Sequence, residues 1–195
     1  AAHSPRSARL TRLPRITHQG PHNDCGPHAL AMAVSSLGRY ELDPDEAARR
    51  LRFLRVPWLG ATLPWGQSFV ARRLGLSAKG HWFGRLEQLK RCVDADEPSL
   101  VIVHPDDFGG TPWFTLHYRV VVGYADDPSL PGGGEIYLAC SASPDRPPSD
   151  GRPGNVAMTY EQFERQWRTW LTVNWWMRLC YHDARRDTAG GRGCE

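Results

Sequence analysis

A cysteine stands in a chemically suggestive setting in the segment His18-Gln19-Gly20-Pro21-His22-Asn23-Asp24-Cys25-Gly26-Pro27, where a polar, irregular stretch gives way to Ala29, Ala31, Ala33 and Val34. A thiol in the first turn of a helix faces the positive end of its dipole, which favours thiolate, the reactive form. Gly26 leaves room beside it for the backbone of a bound substrate. Gln19, six residues upstream, carries side-chain N–H donors that, with the amide of Cys25, would line an oxyanion hole. A thiol nucleophile needs a base. His117 lies at the start of the run LHYRVVVGY (116–124), so a strand would fix its ring. An imidazole there would take the thiol proton and later give it to a leaving amine. A third polar group ordinarily orients such an imidazole.

Each of these residues also has a plainer reading. Cysteine is often buried, and without Gln19 and the Asp-Cys-Gly-Pro context Cys25 would be read as packing. A strand histidine is more often structural than catalytic, and only its pairing with a distant thiol raises His117 above that. His22, Cys25 and His28 are spaced by three, with His18 nearby, but Pro21 and Pro27 interrupt a regular helix and no second ligand cluster follows. A zinc site is therefore disfavoured, and no metal or cofactor is expected. Trp113 in D-D-F-G-G-T-P-W-F would wall a cleft ahead of His117, and Asp106 and Asp107 would receive a basic substrate residue, although a simple loop is the safer assumption.

The elements that must hold these groups can be read from period and punctuation. Residues 25–37 form a helix apolar on most sides, stopped by Gly38. Asp43-Pro44 opens a second helix with an N-cap and a proline at the first helical position. A third spans 64–74 and a fourth 86–93. Then SLVIVH (99–104), LHYRVVVGY (116–124) and EIYLAC (135–140) read as strands. Thr159 with Gln162 forms a capping box for a helix through Trp170, and residues 173–181 alternate as a last strand. Helices first, a largely antiparallel sheet after, and one late helix define an α+β fold. Residues 1–15, with Arg6, Arg9, Arg12 and Arg15 among small polar residues, read as a flexible basic arm. Residues 16–182 read as the folded domain and 183–195 as a loose Gly-rich tail.

Composition bounds the rest. The 195 residues are 41% hydrophobic and 23% charged, which excludes wholesale disorder. No apolar run approaches the roughly 18 residues of a membrane-spanning helix. The net charge of +3 is only mildly basic and does not call for nucleic acid, and the arginines are read as a solvated surface. Five cysteines with no C-x-x-C pair argue against a zinc ribbon or thioredoxin-like centre, and leave open one reactive thiol with two disulfides or five reduced thiols. The chain begins Ala-Ala rather than Met. Removal of a secretory signal would leave such a start, which places a secreted or periplasmic location ahead of a cytoplasmic one, although trimming would leave it too.

The pattern Q-x-x-x-x-D-C-G-P-x-A-L-A-M (19–32), followed by H-Y-R-V-V-V-G-Y (117–124) and T-Y-E-Q-F-E-R-Q-W (159–167), resembles the bacteriocin-processing, double-glycine-leader peptidases and their stand-alone relatives. These are papain-like cysteine peptidases. The resemblance runs from about Gln19 to Tyr181 and implies a papain-like fold, N-terminal helices against a mainly antiparallel sheet, with a peptide or protein as substrate. It implies Cys25 as nucleophile, Gln19 as oxyanion-hole donor and His117 as base. One departure stands out. Cys140-Ser141 occupy the place where the family carries Asp-Pro, and Asp145 is the nearest carboxylate able to reach back. Otherwise Ser141 or a backbone carbonyl orients His117, or the two residues act as a dyad. The alternatives are an amidase or acyltransferase using the same thiol, and a catalytically silent binding module. A thiol sealed in the apolar interior, or one far from His117, would count against a hydrolase.

Overall fold

The cysteine-bearing segment forms α1 (Cys25–Ser36), a helix almost wholly enclosed, as its small apolar residues require. The structure is a computed structural model and describes residues 6–20, 23–57, 59–106, 115–143, 151–169 and 171–181. Four more α-helices are found among the described residues: α2 (Pro44–Leu51), α3 (Pro64–Arg73), α4 (Leu86–Asp94) and α5 (Tyr160–Trp167). The strands are β1 (Ser7–Arg9), β2 (Leu76–His81), β3 (Ser99–Val103), β4 (His117–Asp126), β5 (Gly134–Ala139), β6 (Val156–Thr159) and β7 (Trp176–Tyr181).

Local chemistry sets the boundaries. The Asp43 carboxylate accepts from the amides of Asp45 and Glu46 at 2.9 and 3.2 Å, and Pro44 starts α2 where no N–H is needed. Thr159 and Gln162 exchange side-chain and backbone hydrogen bonds at 3.1 and 3.2 Å to open α5. That helix ends at Trp167 rather than Trp170, because the Thr169 hydroxyl captures the Thr172 amide in a turn. β7 starts at Trp176 rather than at 173, since Val173 and Asn174 adopt positive φ.

The strands run in the order β2-β7-β3-β4-β5-β6, every neighbour antiparallel. Both faces are covered. Leu100, Ile102, Val120, Val122 and Leu179 join α1, α2 and α3 in one core, while Val101, Val103, Val121, Leu138 and Trp176 join α4 and α5 in another. A sheet packed on both sides needs continuous apolar runs, which is why β3 and β4 lack an alternating polar face.

The expected basic arm is partly structured. Ser7–Arg9 pair with residues 123–125 of β4, and the buried Leu10 donates its amide to Val122 O at 2.9 Å. Since β3 reaches only as far as Val121 along β4, the first strand completes that edge. The proposed tail lies outside the described residues.

Candidate active site

Register and helix placement put Cys25, Gln19 and His117 at one corner of the sheet. Cys25 is the first residue of α1, and His117 is the first of β4, opposite Val103 of β3. Asp24 does not cap α1 with its side chain. Its carboxylate pairs instead with Arg55 Nη2 at 2.5 Å, while Arg55 Nε donates to Gly60 O at 2.6 Å and Nη2 to Asn23 O at 3.0 Å. The loop ahead of Cys25 is thereby tied to the segment that follows α2.

Gly26 serves packing rather than substrate access. A Cβ there would stand 2.4 Å from Thr62 Oγ1 and 2.5 Å from Thr62 Cβ, so the space read as room for a substrate backbone is filled by the protein itself. The Thr62 carbonyl in turn accepts from the Tyr118 hydroxyl at 2.9 Å, coupling α1 to β4.

Gln19 is held from two sides by Ser141. Its amide donates to Ser141 O at 3.2 Å, and the Ser141 hydroxyl donates to Gln19 Oε1 at 2.7 Å. The carboxamide of Gln19 is thereby held in one orientation by Ser141. The Ser141 hydroxyl therefore orients Gln19, not the imidazole for which it was a candidate. Asp145, the other candidate, lies outside the described residues. His117 Nε2 faces Cys140 Sγ at 3.3 Å. Cys140 is clamped by Asn155, which accepts from the Cys140 amide at 2.8 Å and donates to the carbonyls of Cys140 at 2.8 Å and Ser143 at 2.5 Å. Asn155, Arg55 and Thr62 were not singled out from sequence, and Cys140 was noted where the family carries aspartate but given no role. For Cys140 the signal was available: Val120 pairs with Ala139, so the next residue falls beside Arg119 on the face that carries His117.

The electrostatics correct the expected thiolate. Burial pushes the Cys25 thiol up to about 11, despite backbone hydrogen bonds from Tyr118 and Gly26 and the nearby Arg55, all of which pull it down. Cys140 adds to the rise. Desolvation outweighs the helix dipole in the closed site, where Cys25 is only 3% exposed. The Cys25 sulfur lies 3.9 Å from Asn23 Oδ1, within hydrogen-bonding reach for sulfur.

Neighbouring candidates have other partners. His28 Nδ1 lies 2.8 Å from Thr17 Oγ1, and burial lowers its pKa. His18 Nδ1 lies 3.1 Å from Ser141 O, and His22 is outside the described residues. Among the described residues no three His, Cys, Asp or Glu side chains group to hold a metal. Asp106, a candidate for a basic substrate residue, is turned to α5 instead, where Gln166 donates to it and Arg165 stands at 3.6 Å. Asp107 and Trp113 are outside the described residues. Cys25, Cys92 and Cys140 are free thiols, and Cys180 is disulfide-bonded.

No family model matches the sequence, and no curated protein matches it in sequence. Solved structures do match in shape. A C39-like peptidase from Bacillus anthracis superposes with a TM-score of 0.66 at 16% identity, covering 91% of this chain and 99% of that one. The peptidase domain of Streptococcus ComA, a bifunctional ABC transporter of a quorum-sensing pathway, gives 0.59 at 18%, covering 86% and 98%. A double glycine motif protease from a PCAT transporter, solved with its leader peptide, gives 0.50 at 19%, covering 88% and 95%. The chain thus shares the papain-like fold of these peptidase structures, with the α+β plan expected from the sequence.

Proposed function

We propose that this protein is a cysteine peptidase acting on a peptide or protein segment through Cys25 and His117. One observation supports the reading: Cys140, whose sulfur lies 3.3 Å from His117 Nε2, and Tyr118, the residue after His117, both act on the Cys25 thiol. In this reading Nδ1 accepts the thiol proton. Cys25 then attacks the scissile carbonyl, and the oxyanion is held by the Cys25 amide and the Gln19 carboxamide. The imidazolium protonates the departing amine, leaving a thioester. Water, deprotonated by His117, cleaves the thioester and restores the thiol. Because the resting thiol is protonated and enclosed, the nucleophile forms only when a substrate opens the corner and the proton passes to His117.

The test is cleavage of a defined peptide mixture read by mass spectrometry. Cys25→Ala and His117→Ala are each expected to lower turnover by at least about a thousandfold, and cleavage persisting in Cys25→Ala would refute the mechanism. A second reading, a catalytically silent module that only binds peptides, is favoured by the burial of Cys25. It is supported if the wild-type protein neither cleaves peptides nor is labelled at Cys25 by a peptidyl vinyl sulfone. Added amines would divert the thioester if the chain is instead an acyltransferase.

A further inference from the structure

We infer that Cys140 positions the His117 imidazole, its sulfur standing beside Nε2 where a carboxylate would ordinarily orient a catalytic base. The inference rests on the reading of His117 as the base. Its support is geometric. Cys140 follows β5 directly, and the pairing of Val120 with Ala139 carries it to the His117 side of β4. Its sulfur lies 3.3 Å from Nε2, within hydrogen-bonding reach for sulfur, and both side chains are buried. The Asn155 clamp fixes the Cys140 backbone on both its amide and its carbonyl, which holds this residue beside the start of β4. Ser141, the adjacent candidate, is committed to Gln19.

The substitution of sulfur for a carboxylate has a chemical consequence. For Nδ1 to accept the Cys25 proton, Nε2 must carry hydrogen and donate it to sulfur. A carboxylate enforces that tautomer, because it only accepts, and it stabilises the imidazolium. A neutral thiol both donates and accepts, so it holds the ring in place but fixes the tautomer weakly. Among the described residues, titratable or charged groups on the surrounding elements include Cys25 on α1, Arg55 after α2, His104 just beyond β3, Tyr118 next along β4, and Arg119, two residues along β4 and hydrogen-bonded to Gln166 of α5.

The ring itself can be read without activity. In nitrogen-15-labelled protein, long-range proton–nitrogen spectra report the tautomer and titration midpoint of His117. Cys140→Ala is expected to mix the tautomers, Cys140→Ser to shift the Nε2 resonance with the fold retained, and Cys140→Asp to raise the midpoint by about one pH unit or more. In the peptidase assay, Cys140→Ala should lower kcat about tenfold with little change in KM, and Cys140→Asp should move the acidic limb of the pH profile upward. Ring signals unmoved in all three variants would overturn the inference, and Cys140→Ser alone decides it should the other two not fold. Ring signals that move in a protein cleaving no peptide would uphold the positioning role and discard the peptidase reading instead.

Discussion

The two ends of β4 handle polar groups in opposite ways. At its start, His117, Cys140, Cys25 and the Gln19–Ser141 pair form a corner whose engaged partners are thiol, imidazole, amide and hydroxyl. At its far end, Asp126 accepts from Lys90 at 2.6 Å and from the Tyr160 hydroxyl at 2.8 Å. Lys90 also pairs with Glu87 at 3.0 Å and lies over the rings of Tyr124 and Tyr160. Burial works to raise the Asp126 pKa, but Lys90, Tyr160 and the Arg6 amide outweigh it and hold the carboxyl below its usual value. Permanent ions lock the far end into one arrangement. The near end instead encloses a protonated thiol, with the Asp24–Arg55 pair in the loop ahead of it. A buried charge network favours one arrangement, whereas a buried thiol can change its protonation with pH.

This contrast can be broken at either end. The largest effect is expected from Lys90→Met, which leaves Asp126 and Glu87 without their buried cation and should cost about 3–5 kcal/mol in urea unfolding. A loss under 1 kcal/mol would mean the far end is no more than a surface ion pair. The near end should respond to base. Because the Cys25 thiol is raised to about 11 from an ordinary 9.0, the folded protein keeps a proton that the unfolded chain releases. Stability therefore falls as pH rises through that window, by about 2–3 kcal/mol. The difference between wild type and Cys25→Ala, measured from pH 8 to about 11, isolates the term, and parallel curves would remove it.

Gly26→Ala is expected to destabilise by about 1–3 kcal/mol, since the new methyl overlaps Thr62. Tight binding of Thr62 to the helix is part of what closes the near end, so a silent substitution would show that it is looser than its geometry. The smallest effect is assigned to Asp145→Asn. With Cys140 beside Nε2, turnover should stay within about twofold. A larger loss would return a carboxylate to the corner and dissolve the contrast between the ends.

Much of this molecule could be read from its sequence where a single side chain dictates the local answer. Asp43-Pro44, the Thr159–Gln162 box and the enclosed α1 are such cases. What escaped were strands whose identity depends on neighbours. Leu76–His81 holds Lys79 and Gly80, poor strand formers, and becomes a strand by pairing with β7; a Cβ on Gly80 would stand 2.9 Å from Trp175 Nε1. Val156–Thr159 is too short to announce itself, and Ser7–Arg9 is polar because it lies along an edge. In the candidate site, Cys25, Gln19 and His117 drew attention by residue type. The raised pKa of the Cys25 thiol was not legible, because the helix dipole is visible in a sequence and desolvation is not. Cys140 was noted in the aspartate's place but given no role, because a carboxylate was sought there.

The short opening strand has a consequence for the chain as a material. Residues 122–126 of β4 would present bare amides and carbonyls to any passing polypeptide if Ser7–Leu10 were cleaved away, because β3 stops short of them. Arg6 secures the strand at its start, exchanging backbone contacts with Asp126 and reaching Glu87. Removal of residues 1–10 should thus leave a chain prone to borrowing strands from its neighbours.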